Sequence, residues 1–421
     1  MGHDHGGHHV DPAELVPLDR YRRDLLSRLR PLDAIEVALL EAQGCVLAED
    51  VTAPADVPSF ANSAMDGYAV KAAAVREGSV LQVVGELAAG AAGTGALEAA
   101  TAVRIMTGAP LPPGADAVVP VEAAEEVDGR VTVRVAPQPG DHVRPAGEDV
   151  RAGEVVVRAG RRLRAADIGM LAAVGRASVR VHPKPRVAVI ATGDELVDPG
   201  VDPGEPLPPG KIRDSNSYML TALAREAGAV AYRHDIVRDD RRALVEAIEG
   251  ALVNADLLVT SGGVSAGRYD LVKQVLADLG DVRAVKVGMQ PGMPQAFGFV
   301  SSLERPVPCF GLPGNPVSSF VSFEVFVRPA LRRLQGRSDL NRPRISATLA
   351  EPVRSPPHKV SFLRVRLHAD DGGWQARLTG PQGSGILASV TAADGLAEIP
   401  ADTTRLDAGD RVVVHLLAEP S

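Results

Sequence analysis

The stretch between Arg186 and Leu334 constrains the fold most, because strand-like and helix-like segments alternate along it. Buried strands are indicated by "RVAVIAT", "AVAYRHDIV", "DLLVTSGG", "AVKVGM", "QAFGFV" and "PVPCFGL". Helices are indicated by "SNSYMLTALAREAG", "DRRALVEAIEGALVNA", "YDLVKQVLADLG" and "PVSSFVSFEVFVRPALRRL". We expect Asp214 or Ser215 to cap the first helix and Gly228 to end it. The alternation predicts an α/β domain whose mostly parallel sheet is covered on both faces.

Shorter β-type segments lie on both sides of this region. Between Val51 and about Arg180 they are "LQVVGEL", "AVRIMTG", "RVTVRV" and "EVVVRAG", followed by a predicted helix near Ala165–Ala173. After Pro343 they are "RISATLAEPV", "VSFLRVRL", "WQARLTG" and "RVVVHLL". We therefore expect one or two β-rich modules in the first half and a small β-domain at the C-terminus.

The N-terminal region is predicted to hold two helices, at residues 19–29 and 34–42, with Gly44 stopping the second. Before them, "MGHDHGGHHVDPAEL" is polar and contains four of the ten histidines. A glycine-rich segment without an apolar pattern favours a disordered tail, and adventitious metal binding is the alternative.

The bulk composition narrows the class of protein. A formal charge of -8 argues against a nucleic-acid-binding surface. The only two cysteines, Cys45 and Cys309, lie far apart in the sequence, which favours a reducing cytoplasm over a disulfide framework or a cysteine zinc site. No signal peptide or membrane span is evident, since the longest apolar run, residues 317–327, is short and contains Glu324.

Two glycine-containing loops follow strands of the predicted sheet. Residues 261–270, "SGGVSAGRYD", connect a strand to a helix, and residues 312–319, "LPGNPVSS", repeat this arrangement one strand later. Ligands of α/β sheets bind at the carboxyl ends of the strands, where glycines let backbone amides approach a phosphate. Each loop alone is also consistent with a tight turn, with Asn315 as cap and Pro316 in the first helical turn.

Acidic residues occur in the same loops. Asp194 and Glu195 follow one strand, Asp239 and Asp240 follow the next, and Asp270 follows the first glycine-rich turn. Carboxylates beside a phosphate favour a bridging Mg²⁺, because hard oxygen ligands suit that ion. For Asp240 and Asp270, helix capping is the simpler alternative.

Three further segments lie in the β-rich first half. They are "NSAMDGYAV" with Asp66, "RIMTGAPLPPGADAVV" with Thr107, and "RPAGEDV" with Asp149. Each reads as a β-turn with ordinary turn residues. Physical reasoning from the sequence does not connect them to the α/β loops.

Together these segments resemble the molybdopterin molybdenumtransferase family, the bacterial relatives of the gephyrin E domain. The resemblance runs from about Asp11 to the C-terminus and is carried by "FANSAMDGYAV", "RIMTGAPLPPGADAVV", "AGEDV", "ATGDEL", "SGGVSAGRYD", "LPGNPVSSF" and "PQGSGILAS". It implies insertion of molybdate into adenylylated molybdopterin with Mg²⁺-dependent release of AMP, the last step of molybdenum cofactor synthesis. It also implies an α/β domain like that of molybdopterin adenylyltransferase, which is one expected partner beside the molybdenum enzymes.

The resemblance implies a division of the chain and a homodimer. After a tail at 1–13, residues 14–52 and 148–183 would form an elongated dimerisation domain, and 53–147 an inserted β-rich domain. Residues 184–338 would form the molybdopterin-binding α/β domain and 339–421 the C-terminal β-domain. The active site would be shared between the two subunits.

The family's site residues can be carried over position by position. Catalytic positions are Asp66, Thr107 and Asp149 from one subunit, with Glu195, Asp240 and Asp270 from the other; all but Thr107 and Asp149 are also implied metal ligands. Glu195 would position or deprotonate the attacking water. The molybdopterin and nucleotide positions are Thr192, Gly193, Asp194, Ser261, Gly262, Gly263, Ser265, Pro313, Gly314 and Asn315.

The implied molybdate site is where the chain departs from the family. Relatives commonly carry two lysines in the loop that reads "VGMQPGMPQAFG" here, at the positions of Gln290 and Met293. Gln290 donates hydrogen bonds without charge, and Met293 donates none, so affinity for a dianion should fall unless it is offset. The other implied molybdate positions are Lys286, Ser318, Arg364 and Ser384.

Two other functions remain open. A paralogue with weakened or altered oxyanion specificity, such as one for tungstate, is suggested by Gln290 and Met293. A gephyrin-like scaffold is the third hypothesis, although no receptor-binding feature or long linker is evident in the sequence.

Overall fold

The structure is a computed structural model. It describes residues 11–91, 95–201, 204–263, 271–301, 305–370 and 372–418. The chain forms two compact units, one of Met1–Ile35, Gly44–Val46 and His182–Ser421, the other of Glu36–Gln43 and Leu47–Val181. The finer division into five parts stays a prediction, and the predicted tail lies largely outside the described residues.

The N-terminal region contains one of its two predicted helices. Helix α1 (Leu18–Ser27) is confirmed. The helix predicted at 34–42 is wrong: strand β1 (Ile35–Ala38) lies there, followed by a turn. Strand β1 pairs with the strand Ser178–His182, and the backbone N–H of Leu39 donates to the carbonyl of Ala177 at 3.0 Å. Long-range sheet pairing has overridden a weak local helix preference.

The second unit is built mainly from β-strands, as predicted. Its largest sheet has six strands in the order β8-β5-β7-β6-β10-β9. Buried aliphatic clusters lie on both faces of this sheet, around Val119 on one side and Ile105 on the other. The strands between residues 46 and 144 are β2 (Val46–Leu47), β3 (Val51–Thr52), β4 (Asn62–Ser63), β5 (Gly67–Val70), β6 (Val80–Leu87), β7 (Thr101–Ile105), β8 (Ala117–Pro120), β9 (Ala124–Val127), β10 (Arg130–Val133) and β11 (Val143–Arg144).

The chain then forms β12 (Val155–Val157), α2 (Ala165–Ala173) and β13 (Ser178–His182). Helix α2 lies where it was predicted. Strand β12 pairs with β3, β11 with β4, and β13 lies between β1 and β2.

The α/β region confirms the predicted rhythm. The strands are β14 (Arg186–Ala191), β15 (Leu196–Val197), β16 (Ile212–Arg213), β17 (Val230–Arg233), β18 (Leu257–Ser261), β19 (Arg283–Lys286), β20 (Met289–Gln290), β21 (Pro294–Ser301) and β22 (Pro306–Leu312), and the helices are α3 (Asn216–Glu226), α4 (Arg241–Leu252), α5 (Leu271–Leu279), α6 (Pro316–Ser322) and α7 (Arg328–Leu334). The six-stranded sheet has the order β17-β14-β18-β22-β21-β19, in which the first four strands are parallel and the last two antiparallel to their neighbours.

Both faces of this sheet are buried. Along β14, Val187 and Val189 belong to one apolar core, whereas Ala188 and Ile190 belong to the other. Successive side chains of a strand point to opposite faces, so a strand of continuous apolar residues is covered on both sides.

The helix ends show which residues cap them. The Asp214 carboxylate accepts the backbone N–H of Ser217 at 3.0 Å, so of the two predicted caps for α3 it is Asp214 that bonds, and Gly228 ends the helix at φ +90°. Pro316 begins α6 as predicted, but the Asn315 side chain makes no capping hydrogen bond. A π-helical segment, Phe323–Val327, joins α6 to α7.

The C-terminal region is a closed barrel. Strands pair in the order β25-β26-β23-β29-β27, and β27 pairs with β25 to close the sheet. Strand β20 joins its edge parallel to β25, which places Gln290 opposite Ser361. The elements are β23 (Arg344–Leu349), β24 (Val353–Arg354), β25 (Val360–Asp370), β26 (Gly373–Leu378), α8 (Ala388–Thr391), β27 (Gly395–Ile399), β28 (Arg405–Leu406) and β29 (Arg411–Leu416). The predicted multidomain fold, α/β plus β, is confirmed.

Among the described residues, no helix has the length and apolar character needed to cross a bilayer. Cys45 and Cys309 are both buried and form no disulfide.

Candidate active site

A cleft of about 340 Å³ opens at the carboxyl ends of β14, β18 and β22. This is the edge of the sheet at which the loops were predicted to bind a ligand. Five predicted site residues lie on its wall, together with residues of the barrel loop and the start of α3. The residues that line it are Ala191, Thr192, Glu195, Leu196, Ile212, Arg213, Asp214, Ser215, Asn216, Ser261, Gly262, Gly314, Pro316, Gly385 and Leu387.

The two glycine-containing loops meet in this cleft. The backbone N–H of Gly262 donates to the carbonyl of Leu312 at 3.1 Å, and a Cβ on Gly314 would lie 3.7 Å from the Cα of Gly262. Gly262 has φ +89°, which a residue with a side chain rarely adopts. Pro313 and Gly263 belong to the same two loops. Ser265 and Asp270 lie outside the described residues.

Asn216 holds these loops together, and sequence reasoning did not identify it. Its Nδ2 donates to Ser261 Oγ at 2.9 Å and to the carbonyl of Gly314 at 2.6 Å. The available signal was its place in the polar "RDSN" stretch, between two strands of the sheet and at the start of α3. That stretch had been interpreted only as a helix cap.

Glu195 stands directly beside Gly193. A Cβ on Gly193 would lie 2.4 Å from Glu195 Oε2, closer than any side chain allows. The Glu195 side chain is exposed, and no hydrogen bond joins its carboxylate to a described residue. This carboxylate is therefore available to a ligand or to a metal ion.

Asp194 and Asp239 join the loops after β14 and β17. The backbone N–H of each donates to the carboxylate of the other at 3.3 Å. The Lys211 ammonium also donates to the carbonyl of Asp194. A second cleft, of about 550 Å³, lies beside this turn and is lined by Gly193, Asp194, Leu196, Lys211, Ile236 and Arg238.

Asp240 caps α4, as the simpler alternative had it. Its Oδ1 accepts the backbone N–H of Ala243 at 2.9 Å. Neither cleft includes Asp240 in its lining, although its loop contacts the Asp194 turn through Asp239.

The barrel contributes Ser384 to the start of α6. Asn315 Nδ2 donates to Ser384 Oγ at 3.2 Å, and the backbone N–H of Val317 donates to the carbonyl of Ser384 at 3.0 Å. Ser318 follows in the same helical turn and is buried. Two of the implied molybdate positions, Ser318 and Ser384, are thus close to each other.

Arg364, on β25, is a buried cation. It is only 1% exposed, and it makes no ion pair with a described residue. Its guanidinium donates to Ser389 Oγ at 3.1 Å and to the carbonyl of Gly383, next to Ser384, at 3.2 Å. Burial lowers the pKa of Arg364 to about 10, well above neutrality, so the group keeps its charge. An unpaired buried cation favours an anionic ligand nearby.

The loop that follows Lys286 packs on α6. A Cβ on Gly292 would lie 2.7 Å from Ser322 Oγ and 3.4 Å from the carbonyl of Ser318. Gln290 is exposed. The Lys286 ammonium donates to Glu14 Oε2 at 2.7 Å. The one lysine expected to remain near the oxyanion therefore forms a partly exposed ion pair with a carboxylate.

In the second unit, the structure brings Asp66 and Thr107 together. Asp66 Oδ1 accepts both the backbone N–H and the hydroxyl of Thr107 at 2.7 Å. These hydrogen bonds, the backbone one first, hold the pKa of the exposed Asp66 carboxyl below its ordinary value. Asp149 is also exposed, and its backbone N–H donates to the carbonyl of Val57 at 3.1 Å.

The fit to a magnesium ion can be judged from these carboxylates. Among the described residues, no three His, Cys, Asp or Glu side chains come together as a metal site. Mg²⁺ rarely uses a cage made wholly of protein groups, and it usually takes one or two carboxylates with substrate phosphates and water. Glu195 offers such a carboxylate, so the donor set fits an ion that binds together with a phosphate.

Comparison with known protein families agrees with this architecture. The family model of the MoeA N-terminal region, domains I and II, matches residues 16–175. That of a probable molybdopterin-binding domain matches residues 188–333, and that of the MoeA C-terminal region, domain IV, matches 346–417. The fold and the cleft thus define a MoeA-type multidomain protein.

Individual relatives cover the whole architecture. Molybdopterin molybdenumtransferase 2 of Mycobacterium tuberculosis is 43% identical over 408 residues, which are 94% of this chain and 98% of the relative. The molybdopterin molybdenumtransferase of Nostoc sp. PCC 7120 is 37% identical over 418 residues, 96% of this chain and 95% of the relative. A crystal structure of the molybdopterin biosynthesis MoeA protein from Pyrococcus horikoshii aligns with TM-score 0.80 and 35% identity, covering 96% of this chain and 99% of that one.

The chain belongs to the molybdopterin molybdenumtransferase family. It is therefore a transferase of molybdenum cofactor biosynthesis.

Proposed function

We propose that this chain inserts molybdenum from molybdate into adenylylated molybdopterin and releases AMP, in the cytoplasm. The observation that supports this most is the cleft itself. The Gly262 and Gly314 turns and the Glu195 carboxylate surround one cavity of about 340 Å³, a size typical of small-molecule sites.

In this proposal the two glycine-containing turns bind the pterin and phosphate parts of the substrate. Ser261 and Thr192, which are buried at the ends of β18 and β14, position the turns. Glu195 accepts a proton from the water that attacks the adenylyl phosphorus. A bond forms from that phosphorus to the water oxygen and gives AMP, while the bridging P–O bond breaks and the phosphate of molybdopterin leaves with the bridging oxygen. A positioned general base of this kind contributes about 10²–10⁴-fold to a rate.

Mg²⁺ belongs to the proposal as an ion held by Glu195 and substrate phosphate, with Asp66, Asp240 and Asp270 as the other ligands that the family resemblance implies. When bound, it would neutralise charge on the phosphate linkage. The chain's own contribution is the carboxylate of Glu195, which Gly193 leaves room for.

Molybdate is proposed to bind where the barrel meets α6. Ser318 and Ser384 supply hydroxyl groups there, and Arg364 supplies the buried positive charge. Gln290 adds a neutral donor on the loop above α6, and Lys286, which precedes that loop, shares a partly exposed ion pair with Glu14.

We further propose a homodimer in which Asp66, Thr107 and Asp149 of a second copy complete the site. The test mixes two inactive homodimers, Asp66→Asn and Glu195→Gln, after subunit exchange. A site shared in trans restores activity, because each mixed dimer has one site free of substitutions. No recovery in verified mixed dimers would contradict sharing in trans.

Complementation tests the overall function. The gene is expressed in a strain that lacks its molybdenum insertase, and activity of a molybdenum enzyme is followed across a molybdate titration. We expect the wild type to rescue and Glu195→Gln to fail. Failure of the wild type at every molybdate concentration, with soluble protein present, would contradict the proposal.

A second candidate is a paralogue with weak or altered oxyanion specificity. It is favoured by the pairing of Lys286 with Glu14 and by the two uncharged residues, Gln290 and Met293. Rescue only with excess molybdate, or preferential use of tungstate, would support this candidate, whereas rescue at low molybdate would remove it.

A further inference from the structure

The amide oxygen of Asn216 is a buried acceptor without a hydrogen-bond partner among the described residues. Its orientation is fixed by chemistry, because the carbonyl of Gly314 can only accept. The atom 2.6 Å from that carbonyl must therefore be the NH₂ group, and Oδ1 is the atom left over. Buried acceptors normally have partners, and an orphan of this kind points to a missing group.

Asn216 lies on the wall of the 340 Å³ cleft, between Ser215 and the two glycine-containing turns. The roles proposed above for Glu195 and for the turns make no use of its amide oxygen. Nδ2 already acts as a tether, through Ser261 and Gly314. The side chain thus has one half committed to the fold, and its other half, Oδ1, is an acceptor that the described residues leave unsatisfied.

We propose that Asn216 is a specificity-determining residue whose Oδ1 accepts a hydrogen bond from an exocyclic amine on a fused pyrimidine ring. This inference rests on the proposed function, since the substrate named there supplies two such rings, the pterin and the adenine. Both present an amine on a planar ring, and an acceptor-only oxygen selects for that donor. A site that hydrogen-bonds a ligand group rejects an analogue lacking it, because its own polar atom is then left unpaired.

The test compares ligands that differ only in the amine. One pair is pterin and pteridin-4-one, and the other is AMP and purine riboside 5′-monophosphate. Dissociation constants are measured by ligand-observed NMR or calorimetry, with no turnover required. We expect the wild type to bind the amine-bearing member of one pair about tenfold more tightly, the discrimination that corresponds to the net energy of one hydrogen bond.

Variants distinguish recognition of the ligand by Oδ1 from the hydrogen bonds that Nδ2 makes to Ser261 and Gly314. Asn216→Leu should bring the ratio within that pair to about one. Ser261→Ala removes one tether but leaves Oδ1 in place, so it should weaken both members equally and keep the ratio.

The pair that shows the preference identifies the ring, and either pair supports the inference. A wild-type ratio of about one in both pairs overturns it and is the result expected if an ordered water satisfies Oδ1. A preference that persists in Asn216→Leu also overturns it. Molybdenum insertion by the wild type is assayed in parallel, so that failure of this inference is distinguishable from failure of the proposed function.

Discussion

Gly193 and Glu195 are in such close contact that a single added carbon would displace the carboxylate. A Cβ on Gly193 would lie 2.4 Å from Glu195 Oε2 and 2.7 Å from its Cδ. The backbone of Gly193 also has φ +149°, which strains a residue with a side chain. The absence of a side chain at 193 is thus what lets the carboxylate lie across the turn after β14.

We therefore expect Gly193→Ala to lower kcat strongly. The Glu195 side chain would be pushed from its position, and small misplacements of catalytic groups cost on the order of 10²-fold. Steady-state kinetics with a thermal-unfolding control would measure this. Gly409→Ala, at a positive-φ turn of the barrel with open space around it, is the matched control and should leave kcat unchanged. Wild-type kcat in Gly193→Ala would contradict the role given to Glu195.

The Asp66–Thr107 pair gives a prediction about a pKa. In Thr107→Val the backbone N–H remains and only the hydroxyl is lost. Because both bonds favour the ionised carboxylate, the pKa of Asp66 should rise but stay below the ordinary Asp value. The side-chain carboxyl ¹³C chemical shift of Asp66 against pH reports this directly. An unchanged pKa would mean that the hydroxyl does not bond in solution.

Gln290 gives a prediction about molybdate. Gln290→Lys restores a charge at an exposed position of the loop over α6. A charge-assisted bond should add about 1 kcal/mol, which lowers the half-saturating molybdate concentration about fivefold. Val253→Lys, at the exposed turn that follows α4, adds the same charge and controls for net charge. If the half-saturating molybdate concentration falls equally in both variants, or does not fall in Gln290→Lys, Gln290 does not contribute to the oxyanion site.

The buried network around Glu324 fixes the last helices against the barrel. Arg328 donates to Glu324 at 2.7 Å and 2.8 Å, and Arg342, from the linker that leads into the barrel, donates at 3.0 Å and 3.1 Å. Glu324→Gln leaves two arginines with less compensation, and we expect a loss of about 3–5 kcal/mol in the free energy of unfolding. Glu246→Gln, an exposed helix pair with Arg242, should change it by less than about 0.5 kcal/mol.

This loss should depend on pH. Burial alone would raise the pKa of Glu324, but hydrogen bonds and charge from Arg342 and Arg328 hold it below the ordinary value of 4.5. A carboxylate with a depressed pKa contributes stability above its unfolded pKa and loses it as the pH falls through the folded value. The gap between wild type and Glu324→Gln should therefore be full at neutral pH and narrow below about pH 4.5. A constant gap down to pH 3 would contradict this.

The sequence predicted the parts of the site that depend on strand order. Thr192, Ser261 and Gly314 each lie at or just after the end of a parallel strand, and ends of neighbouring parallel strands meet at one edge. The period of apolar residues indicates those strands reliably, so the cleft's location followed from it. The prediction of a helix at 34–42 was wrong because this segment forms strand β1, whose pairing partner, β13, is more than a hundred residues away in the chain.

Contacts over long sequence distances explain the other gaps. Lys286 is paired with Glu14, 272 residues earlier, so nothing near Lys286 in the sequence shows that its charge is compensated. Asn216 reaches Gly314, 98 residues later, and its unpartnered oxygen becomes evident only after both tether bonds are known. The resemblance supplied Arg364, but its burial without an acidic partner was not predictable from the residues around it.

The measurement that tests the central claim most directly is the stoichiometry of one turnover. Purified protein is supplied with adenylylated molybdopterin, molybdate and Mg²⁺, and AMP is quantified by chromatography beside molybdenum bound to pterin. The account predicts equal amounts of AMP and molybdenum-bound pterin from the wild type, and at least about 10²-fold slower formation of both in Glu195→Gln. AMP without molybdenum insertion, or no AMP from folded protein, would contradict it.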